Sequence, residues 1–331
     1  MNTTMKDVAK RANVSLSTVS RVINNSNLVS KDTAIKVRKA IKELDYQINE
    51  SARALRTNIS KLIGVIGAGM DNPFLMKVLK SIETEAIKEN YNIIYGDSEG
   101  ELEQELYYIN MFKQKKIDGL VIMTAKFSDE LIKAIKESNI PTVFASGHLK
   151  QSDLPSVTVN NVKAAEDVSE YLFSLGEYFG IIRGPYRDSV ASEERMQGVI
   201  NKYKEKKVKL KESYIAEGDF TFKSGYKAAE TLINNNKDLS SIFAFSDQMA
   251  VGAIKYCIDN NIKVPEQMSI IGFDDIEAAK YANPSLSTVY QSGTKLGIEI
   301  MDVLLKEING TQFTKNNIFI PHDLVIRESS K

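Results

Sequence analysis

From Leu62 onward the sequence alternates short, continuously apolar runs with longer amphipathic stretches, and this pattern limits the possible folds more than any other feature. The apolar runs are LIGVIG (62–67), NIIYG (92–96), GLVIM (119–123), PTVFA (141–145), FGIIRG (179–184), SIFAF (241–245) and MSIIGF (268–273). Apolar strands that alternate with helices are typical of parallel sheets covered by helices on both faces. Since about 270 residues exceed one comfortable core, we predict an α/β fold with two lobes.

Several classes of protein are excluded by composition. No apolar run approaches the ~18 residues that a membrane span requires, and the start MNTTMKDVAKR lacks the apolar core of a signal peptide. We therefore expect a cytoplasmic protein with no membrane partner. A single cysteine, Cys257, and two distant histidines, His148 and His322, argue against a disulfide framework and against a metal site.

The usual signatures of enzymes are missing from the sequence. It contains no Gly-x-Ser-x-Gly, HExxH or P-loop motif, and the paired acids Asp274 and Asp275 have no neighbouring histidine. The Gly-Ala-Gly of 67–69 follows an apolar run, as in a dinucleotide-binding loop, but the third glycine position holds Asn72. We therefore expect no cofactor and no enzymatic activity.

Positive charge is concentrated in the first 60 residues. They contain eleven Lys and Arg against five Asp and Glu, while the whole chain is balanced at 43 of each, so the remainder carries the matching negative excess. A small basic region on a mildly acidic body favours a polyanionic partner. Charge alone leaves open a solvated surface without a partner.

This basic region has the pattern of three short helices. They are predicted at 5–12, 16–24 and 31–45. Thr4, Ser15 and Ser30 stand at their starts as capping residues, and apolar residues recur at helical spacing within them. Asn13 can turn the chain between the first two in a left-handed conformation. Two helices joined by so tight a turn are what a helix-turn-helix requires.

The second helix would present polar side chains to the major groove of DNA. Leu16 can touch a thymine methyl, Ser17 can bond a base or phosphate, and Arg21 can bond the guanine edge bidentately. Four further residues are candidate phosphate ligands: Thr3, Thr18, Ser20 and Asn24. The alternative is an ordinary three-helix cap with a polar surface.

The whole chain resembles the LacI/GalR family of bacterial transcription regulators. The stretch MKDVAKRANVSLSTVSRVINNSNLVSKDTAIKVRKAIKELDYQINESARALRT is similar to the DNA-binding headpiece of that family. The body continues the resemblance in family order through IGVIGAGMDNPF, KKIDGLVIM, PSVTVNN, GP followed by RMQG, AEGDFTFKSGY, FSDQMAVGAI, VPEQMSIIGFDD and NPSLSTVYQ. The resemblance implies a helix-turn-helix headpiece at 1–48, a hinge helix and linker at 49–60, and a two-lobed periplasmic-binding-protein-like core with parallel sheets at 61–331.

In the family, the segment that matches 49–56 folds when two copies pair in the minor groove of DNA. The resemblance implies DNA contacts from Asn49, Ala52 and Leu55, with Leu55 as the wedge between base steps. Ile48 stands where the family usually has proline, which weakens the turn into the hinge. The alternative is a flexible linker whose Leu55 packs on the body.

The resemblance also implies a ligand cleft between the lobes. It places 61–160 and 290–320 in one lobe, and 161–289 with the C-terminal strand in the other. The candidate effector-binding residues are Asn72, Phe74, Arg195, Phe220, Ser246, Asp247, Asp274 and Gln291.

Five of these candidates also have a structural interpretation. Arg195 could pair with Glu193 or Glu194 at the surface, and Asp247 could cap a helix at 248–261. Asp274 could cap a turn with Asp275. The two phenylalanines could belong to the core.

Together these expectations describe a repressor that binds a palindromic operator in double-stranded DNA as a homodimer. A small sugar or nucleoside between the lobes would control it allosterically. Because the chain stops at Lys331 after the expected last strand LVIRES, we expect no tetramer-forming tail. The alternative is a sugar-binding protein, or a sugar-active enzyme, with a vestigial DNA-binding head.

Overall fold

The computed structural model describes residues 3–23, 28–46, 59–123, 128–145, 153–185, 189–311 and 317–331. The chain divides into two compact units, which are Met1–Ser60 and Lys61–Lys331. No helix within the described ranges is both long enough and apolar enough to cross a membrane.

The first unit contains three short helices. They are α1 (Met5–Ala12), α2 (Leu16–Ile23) and α3 (Lys31–Glu43). Their shared core is formed by Val8, Val19, Val22 and Val37, all buried. At the start of α1 the Asp7 carboxylate accepts the Thr4 backbone N–H at 2.8 Å. This is half of the predicted capping box, in which side chain and backbone satisfy each other.

The turns of this unit follow from left-handed backbone at polar residues. Asn13 ends α1 with φ 53°, as predicted. The third helix is shorter than predicted, because Asp45 has φ 45° and Leu44 becomes the C-cap instead of a helical residue. The predicted last residue of the second helix, Asn24, lies outside the described residues.

The second unit is built on two sheets whose strands alternate with helices. Its strands are β1 (Leu62–Gly67), β2 (Asn92–Asp97), β3 (Gly119–Met123), β4 (Thr142–Ala145), β5 (Ser156–Val159), β6 (Gly180–Arg183), β7 (Ile215–Glu217), β8 (Ser241–Ala244), β9 (Ser269–Asp274), β10 (Ser287–Gln291), β11 (Asn317–Ile320) and β12 (His322–Val325). Its helices are α4 (Pro73–Lys88), α5 (Leu102–Gln114), α6 (Asp129–Ser138), α7 (Asn161–Leu175), α8 (Val190–Glu205), α9 (Phe222–Asn235), α10 (Asp247–Asp259), α11 (Glu277–Tyr281) and α12 (Gly293–Ile308).

Among the described strands, the first sheet has the order β11-β5-β4-β3-β1-β2 and the second β12-β10-β9-β8-β6-β7. All neighbours in the first sheet run parallel, and in the second only β12 is antiparallel, to β10. The predicted α/β class with two lobes is therefore confirmed, with one sheet mixed rather than parallel. The first lobe carries the first sheet and the second lobe carries the second.

The sequence missed several short or partly polar strands, and misplaced the last. The missed strands are β5, β7, β10 and β11. The last strand is His322–Val325 rather than LVIRES, because the chain after it leaves the β10 ladder. There the backbone N–H of Ser329 donates to the Ser285 carbonyl at 2.9 Å, and the Ser329 carbonyl accepts from the Ile270 N–H at 2.7 Å.

The chain crosses between the lobes three times within this topology. It crosses after β5, where α7 begins at Asn161; after β10, where α12 follows Gln291; and between β11 and β12. Helix α7 packs on α8 and β8 of the second lobe, while α12 packs on α4 and β4 of the first. We call these three places the crossovers.

Candidate effector cavity and DNA-binding helix

A cavity of about 110 Å³ lies where the carboxyl ends of strands from both sheets meet. Such an edge collects loops and helix starts from several strands, which is why α/β proteins bind ligands there. The cavity is lined by Ala68, Asn72, Phe74, Leu75, Met123, Thr158, Asn161, Ser189, Ala191, Arg195, Phe220, Phe245, Asp274, Gln291 and Leu296. The structure thus brings together six of the eight residues that the sequence nominated.

Arg195 supplies the positive charge of the cavity. It lies on α8 and is only 6% exposed. Its Nε donates to Asn161 Oδ1 at 2.9 Å, Nη1 donates to the Phe245 carbonyl, and its guanidinium carbon stands 3.4 Å from the ring centroid of Phe273. Burial lowers the pKa of Arg195 to about 10, so it stays charged near neutral pH. The surface ion pair considered from sequence is not what the structure shows.

Asp274 supplies the negative charge, at the end of β9. Its Oδ1 accepts from Gln291 Nε2 at 2.6 Å, and its φ of 120° is rare for a residue with a side chain. Burial raises the pKa of Asp274 to about 6, against the opposing effect of the positive Arg195. The next residue, Asp275, instead pairs with Arg327 at 2.7 Å.

Asn72 faces the cavity from the start of α4. Its Oδ1 accepts the backbone N–H groups of Phe74 at 3.0 Å and of Leu75 at 3.2 Å, so it caps this helix. A ligand would therefore meet the amide nitrogen of Asn72.

Two phenylalanines give the cavity flat apolar walls. Phe74 is 7% exposed and belongs to the first lobe's core as well as to the cavity lining. Phe220 is held in left-handed backbone at φ 65°, and its ring lies directly against Gly184. A Cβ at Gly184 would fall 2.1 Å from Phe220 Cζ, so only glycine leaves room for the ring in this position.

Ser246 and Asp247 lie outside the lining. Ser246 Oγ accepts from Met249 N at 3.2 Å and caps α10, so the cap predicted at Asp247 is one residue off and the helix spans Asp247–Asp259 instead of 248–261. The carboxylate of Asp247 is fully buried and accepts from Ile276 N at 2.8 Å and from the Thr288 hydroxyl.

Sequence reasoning missed several residues of the cavity. The clearest is Asn161. Its Nδ2 donates to Glu194 Oε2 at 3.0 Å, and its Oδ1 accepts a hydrogen bond from Arg195 Nε at 2.9 Å. Its only signal was its place at the end of the PSVTVNN motif. In the described part of the chain, no group of three or more His, Cys, Asp and Glu side chains could hold a metal ion.

The exposed face of α2 is the candidate DNA-binding surface of the first unit. Leu16 is 45% exposed, and Ser17 and Arg21 are also exposed. Both Ser17 and Thr18 share a hydrogen bond of 2.8 Å with Ser15, whose Oγ caps the helix.

The remaining candidates for DNA contact are less open or lie elsewhere. Ser20 is half-buried. Thr3 donates its hydroxyl to the Leu44 carbonyl at 3.0 Å, which engages the hydrogen that a phosphate would need. Four further candidates lie outside the described residues: Asn24, Asn49, Ala52 and Leu55.

Comparison with known families decides the identity of both units. Residues 4–49 match the bacterial regulatory proteins of the lacI family, and residues 60–328 match the periplasmic binding proteins and sugar binding domain of the LacI family. The chain belongs to the LacI family. The predicted resemblance is thus confirmed, and this LacI-family chain is a DNA-binding transcriptional regulator.

Curated relatives of this LacI-family chain match it over nearly its full length. The HTH-type transcriptional regulator RegA of Clostridium saccharobutylicum is 34% identical over 100% of both chains. Catabolite control protein A of Priestia megaterium is 32% identical over 100% of both. The HTH-type transcriptional repressor PurR of Proteus mirabilis is 34% identical over 98% of this chain and 96% of that protein.

Solved LacI-family structures share the fold. A Lac repressor dimer bound to operator and the anti-inducer ONPF is 26% identical, with a TM-score of 0.91, over 100% of this chain and 99% of that chain. A transcriptional regulator CelR–cellobiose complex is 25% identical, with a TM-score of 0.76, over 99% of this chain and 100% of that chain.

Proposed function

We propose that this regulator is a homodimeric, cytoplasmic repressor whose operator affinity is set by a small sugar or nucleoside in the cavity. One observation carries the proposal. A buried arginine and a buried carboxylate, Arg195 and Asp274, line one cavity together with a flat aromatic wall, in a chain that also carries a helix-turn-helix unit.

The cavity's chemistry suits a polyhydroxylated ligand with an apolar face. Arg195 has N–H groups beyond those bonded to protein, and Asp274 has a second carboxylate oxygen, so hydroxyls can both accept and donate charge-assisted hydrogen bonds there. The Phe220 ring offers a face for the apolar side of a sugar ring or for a base. The regulator acts by binding rather than by catalysis.

Dimerisation follows from how a single helix-turn-helix reads DNA. One copy of α2 covers only a half-site, so two copies related by a twofold axis read a palindrome. The operator-bound Lac repressor is such a dimer, and the match of this chain to it over its full length supports the same assembly here. We further propose that Asn49, Ala52 and Leu55 contact the minor groove between the two headpieces.

The ligand is found by a thermal-shift screen of the full-length protein over sugars, sugar phosphates and nucleosides. A compound that binds the folded chain raises the unfolding midpoint by mass action. Arg195→Ala and Asp274→Ala should lose the shift, while Glu193→Ala, an exposed change on the same helix, should keep it. A shift retained in both cavity variants would place the ligand elsewhere.

A gel shift with genomic fragments tests whether the first unit binds DNA. Absence of any retarded fragment would favour a binding protein with a vestigial DNA-binding head.

A further inference from the structure

The chain leaves β9 through two consecutive residues in left-handed backbone. Asp274 has φ 120° and Asp275 has φ 52°, and α11 begins at Glu277, two residues after Asp275. A residue with a side chain adopts such backbone mainly where its surroundings impose it, so two in succession require specific contacts. This turn carries the carboxylate of Asp274 into the cavity. The contacts that fix the turn therefore also fix the direction of that carboxylate.

Asp247 holds the far end of the turn, although it does not line the cavity. Its Oδ2 accepts the backbone N–H of Ile276 at 2.8 Å, and its Oδ1 accepts the hydroxyl of Thr288 on β10. Asp247 and Thr288 are fully buried. Gly272 leaves room for this carboxylate, because a Cβ there would fall 2.2 Å from Asp247 Oδ1. A buried acceptor in so defined a place fixes Ile276, and with it the end of the turn.

Arg327 holds the middle of the turn from the C-terminal segment. Its Nη2 pairs with Asp275 Oδ1 at 2.7 Å, and its Nη1 donates to the Leu286 carbonyl at 2.8 Å. The side chains of Arg327 and Asp275 are 17% and 6% exposed, so salt and water screen this ion pair little. The backbone N–H of Arg327 donates to Ser287 Oγ at 2.8 Å, at the start of β10. The guanidinium is thus anchored on the strand next to β9.

The other contact of Asp274 reaches its side chain alone. Gln291 Nε2 donates to Asp274 Oδ1 at 2.6 Å. The parallel ladder of β9 and β10 ends with the pair Asp274 and Tyr290. Beyond that pair, among the described strands, the backbone of the turn has no place in the ladder. Its course therefore depends on Asp247 and Arg327.

We propose that Asp247 and Arg327 are positioning residues of the effector site, which hold the left-handed turn after β9 and so direct the Asp274 carboxylate into the cavity. The inference rests on the proposed function, in which the cavity holds the effector. Neither residue lines the cavity, so their effect passes through the backbone of the turn. When either contact is lost, the left-handed residues relax to other backbone conformations and the carboxylate turns away from Gln291.

Asp247 offers a matched pair of variants. Asp247→Leu and Asp247→Asn both keep the approximate size of the side chain and remove its charge. The amide oxygen of Asn can still accept from Ile276 and its nitrogen can donate to the Thr288 hydroxyl, whereas Leu can do neither. Burial raises the pKa of Asp247 well above its usual range, so a neutral amide is a close substitute. Thr288→Val deletes the hydroxyl alone and takes the place of Asp247→Leu if that variant does not fold.

The variant for Arg327 removes both charges of the ion pair at once. Arg327→Met combined with Asp275→Asn leaves the net charge unchanged and leaves no buried carboxylate without its partner. The bonds that hold the turn are lost, but the cost of an isolated buried charge is avoided. Lys280→Met is the control, because Lys280 is an exposed cation on α11, directly beyond the turn.

The readout is the accessibility of the Asp274 carboxyl group in ligand-free, full-length protein. Carboxyl groups are activated with a water-soluble carbodiimide, coupled to glycine ethyl ester and quantified residue by residue by mass spectrometry. A carboxyl group reacts faster when it leaves its buried place, and Asp274 is 8% exposed. The exposed Asp323 calibrates the reaction, and the buried Glu194 of α8 reports any general loosening of the lobe. Thermal unfolding shows whether each variant is folded.

We expect Asp247→Leu and the Arg327→Met, Asp275→Asn double variant to raise the labelling rate of Asp274 by about 3- to 10-fold, the population change that loss of one net hydrogen bond produces. Asp247→Asn and Lys280→Met should keep the wild-type rate, and Glu194 should stay slow in every variant.

Equal rates at Asp274 in Asp247→Leu and Asp247→Asn would overturn the role of Asp247, and a wild-type rate in the double variant would overturn that of Arg327. An equal acceleration at Glu194 would show general loosening instead of a positioning effect and would also overturn the inference. Because no ligand is present, these outcomes are separate from the thermal-shift result that tests the cavity itself.

Discussion

At the scale of single residues, burial rather than pairing decides the chemistry of Asp274. Arg195 favours its ionised form, but loss of water has the larger effect and raises the pKa to about 6. The pKa of Asp247, which is also buried, is raised by loss of water, and the negative charge of Asp274 raises it further. The folded second lobe therefore holds protons that the unfolded chain would release.

This proton uptake predicts how stability depends on pH. Asp274 has an ordinary pKa of 3.8 and a folded pKa of about 6, so its stabilising contribution is present below about 4 and is lost as the pH rises through about 6. Between about pH 4.5 and about pH 7, Asp274→Asn should remove roughly 2 kcal/mol of this pH-dependent change in the free energy of unfolding. Denaturant unfolding of the ligand-free protein at these two pH values measures it. Asp323→Asn, an exposed change, serves as control, and equal pH slopes for wild type and Asp274→Asn would contradict the assignment.

Residues of the cavity could be predicted from the sequence only where the family resemblance marked their positions. Arg195 and Asp274 were nominated from the resemblance, and the structure places them in one cavity. Asn161 was not, because its role depends on α7 and α8 meeting side by side, which no local pattern encodes. The Thr3 hydroxyl likewise turns to Leu44, 41 residues away in sequence.

At the scale of elements, caps and strand length explain which predictions held. The α1 bounds agree with the sequence because Thr4 and Asn13 mark both ends. Strand β3 was predicted from its continuous apolar run, GLVIM, and the structure shows that all of its residues are buried. Strand β7 is three residues long, IAE, and β5 and β10 contain Ser and Thr, so no continuous apolar run marked them. The alternation in β5, SVTV, covers only four residues and was not recognised as a strand.

For α2, the exposed Arg21 predicts a loss of base selectivity. Arg21→Ala should reduce the difference in binding free energy between operator and random DNA by about 1–3 kcal/mol, which is the value of a bidentate guanine contact. Lys10→Ala on α1 should instead weaken binding to all sequences alike, through lost phosphate attraction. Fluorescence anisotropy titrations of operator and scrambled duplexes at one salt concentration compare the two variants. An unchanged affinity ratio in Arg21→Ala would show that this side chain does not read a base.

At the scale of the whole molecule, the alternation of strands and helices was enough to predict an α/β body with two lobes. It was not enough to predict which strands pair, since β11 and β12 are neighbours in sequence but belong to different sheets. That exchange of strands at the end of the chain is a long-range property, fixed by β5 on one side and β10 on the other. The family resemblance supplied the lobe assignment that local patterns could not.

The central claim is that a ligand in the cavity changes the affinity of the head for its operator. The most direct measurement is a titration of an operator, selected from genomic fragments, with and without the compound found by thermal shift. Wild type and Glu193→Ala should show a shift of roughly 5- to 150-fold, the range of ordinary allosteric coupling. Arg195→Ala and Asp274→Ala should bind the operator as wild type does but show no shift. A full ligand response in both cavity variants would contradict the account.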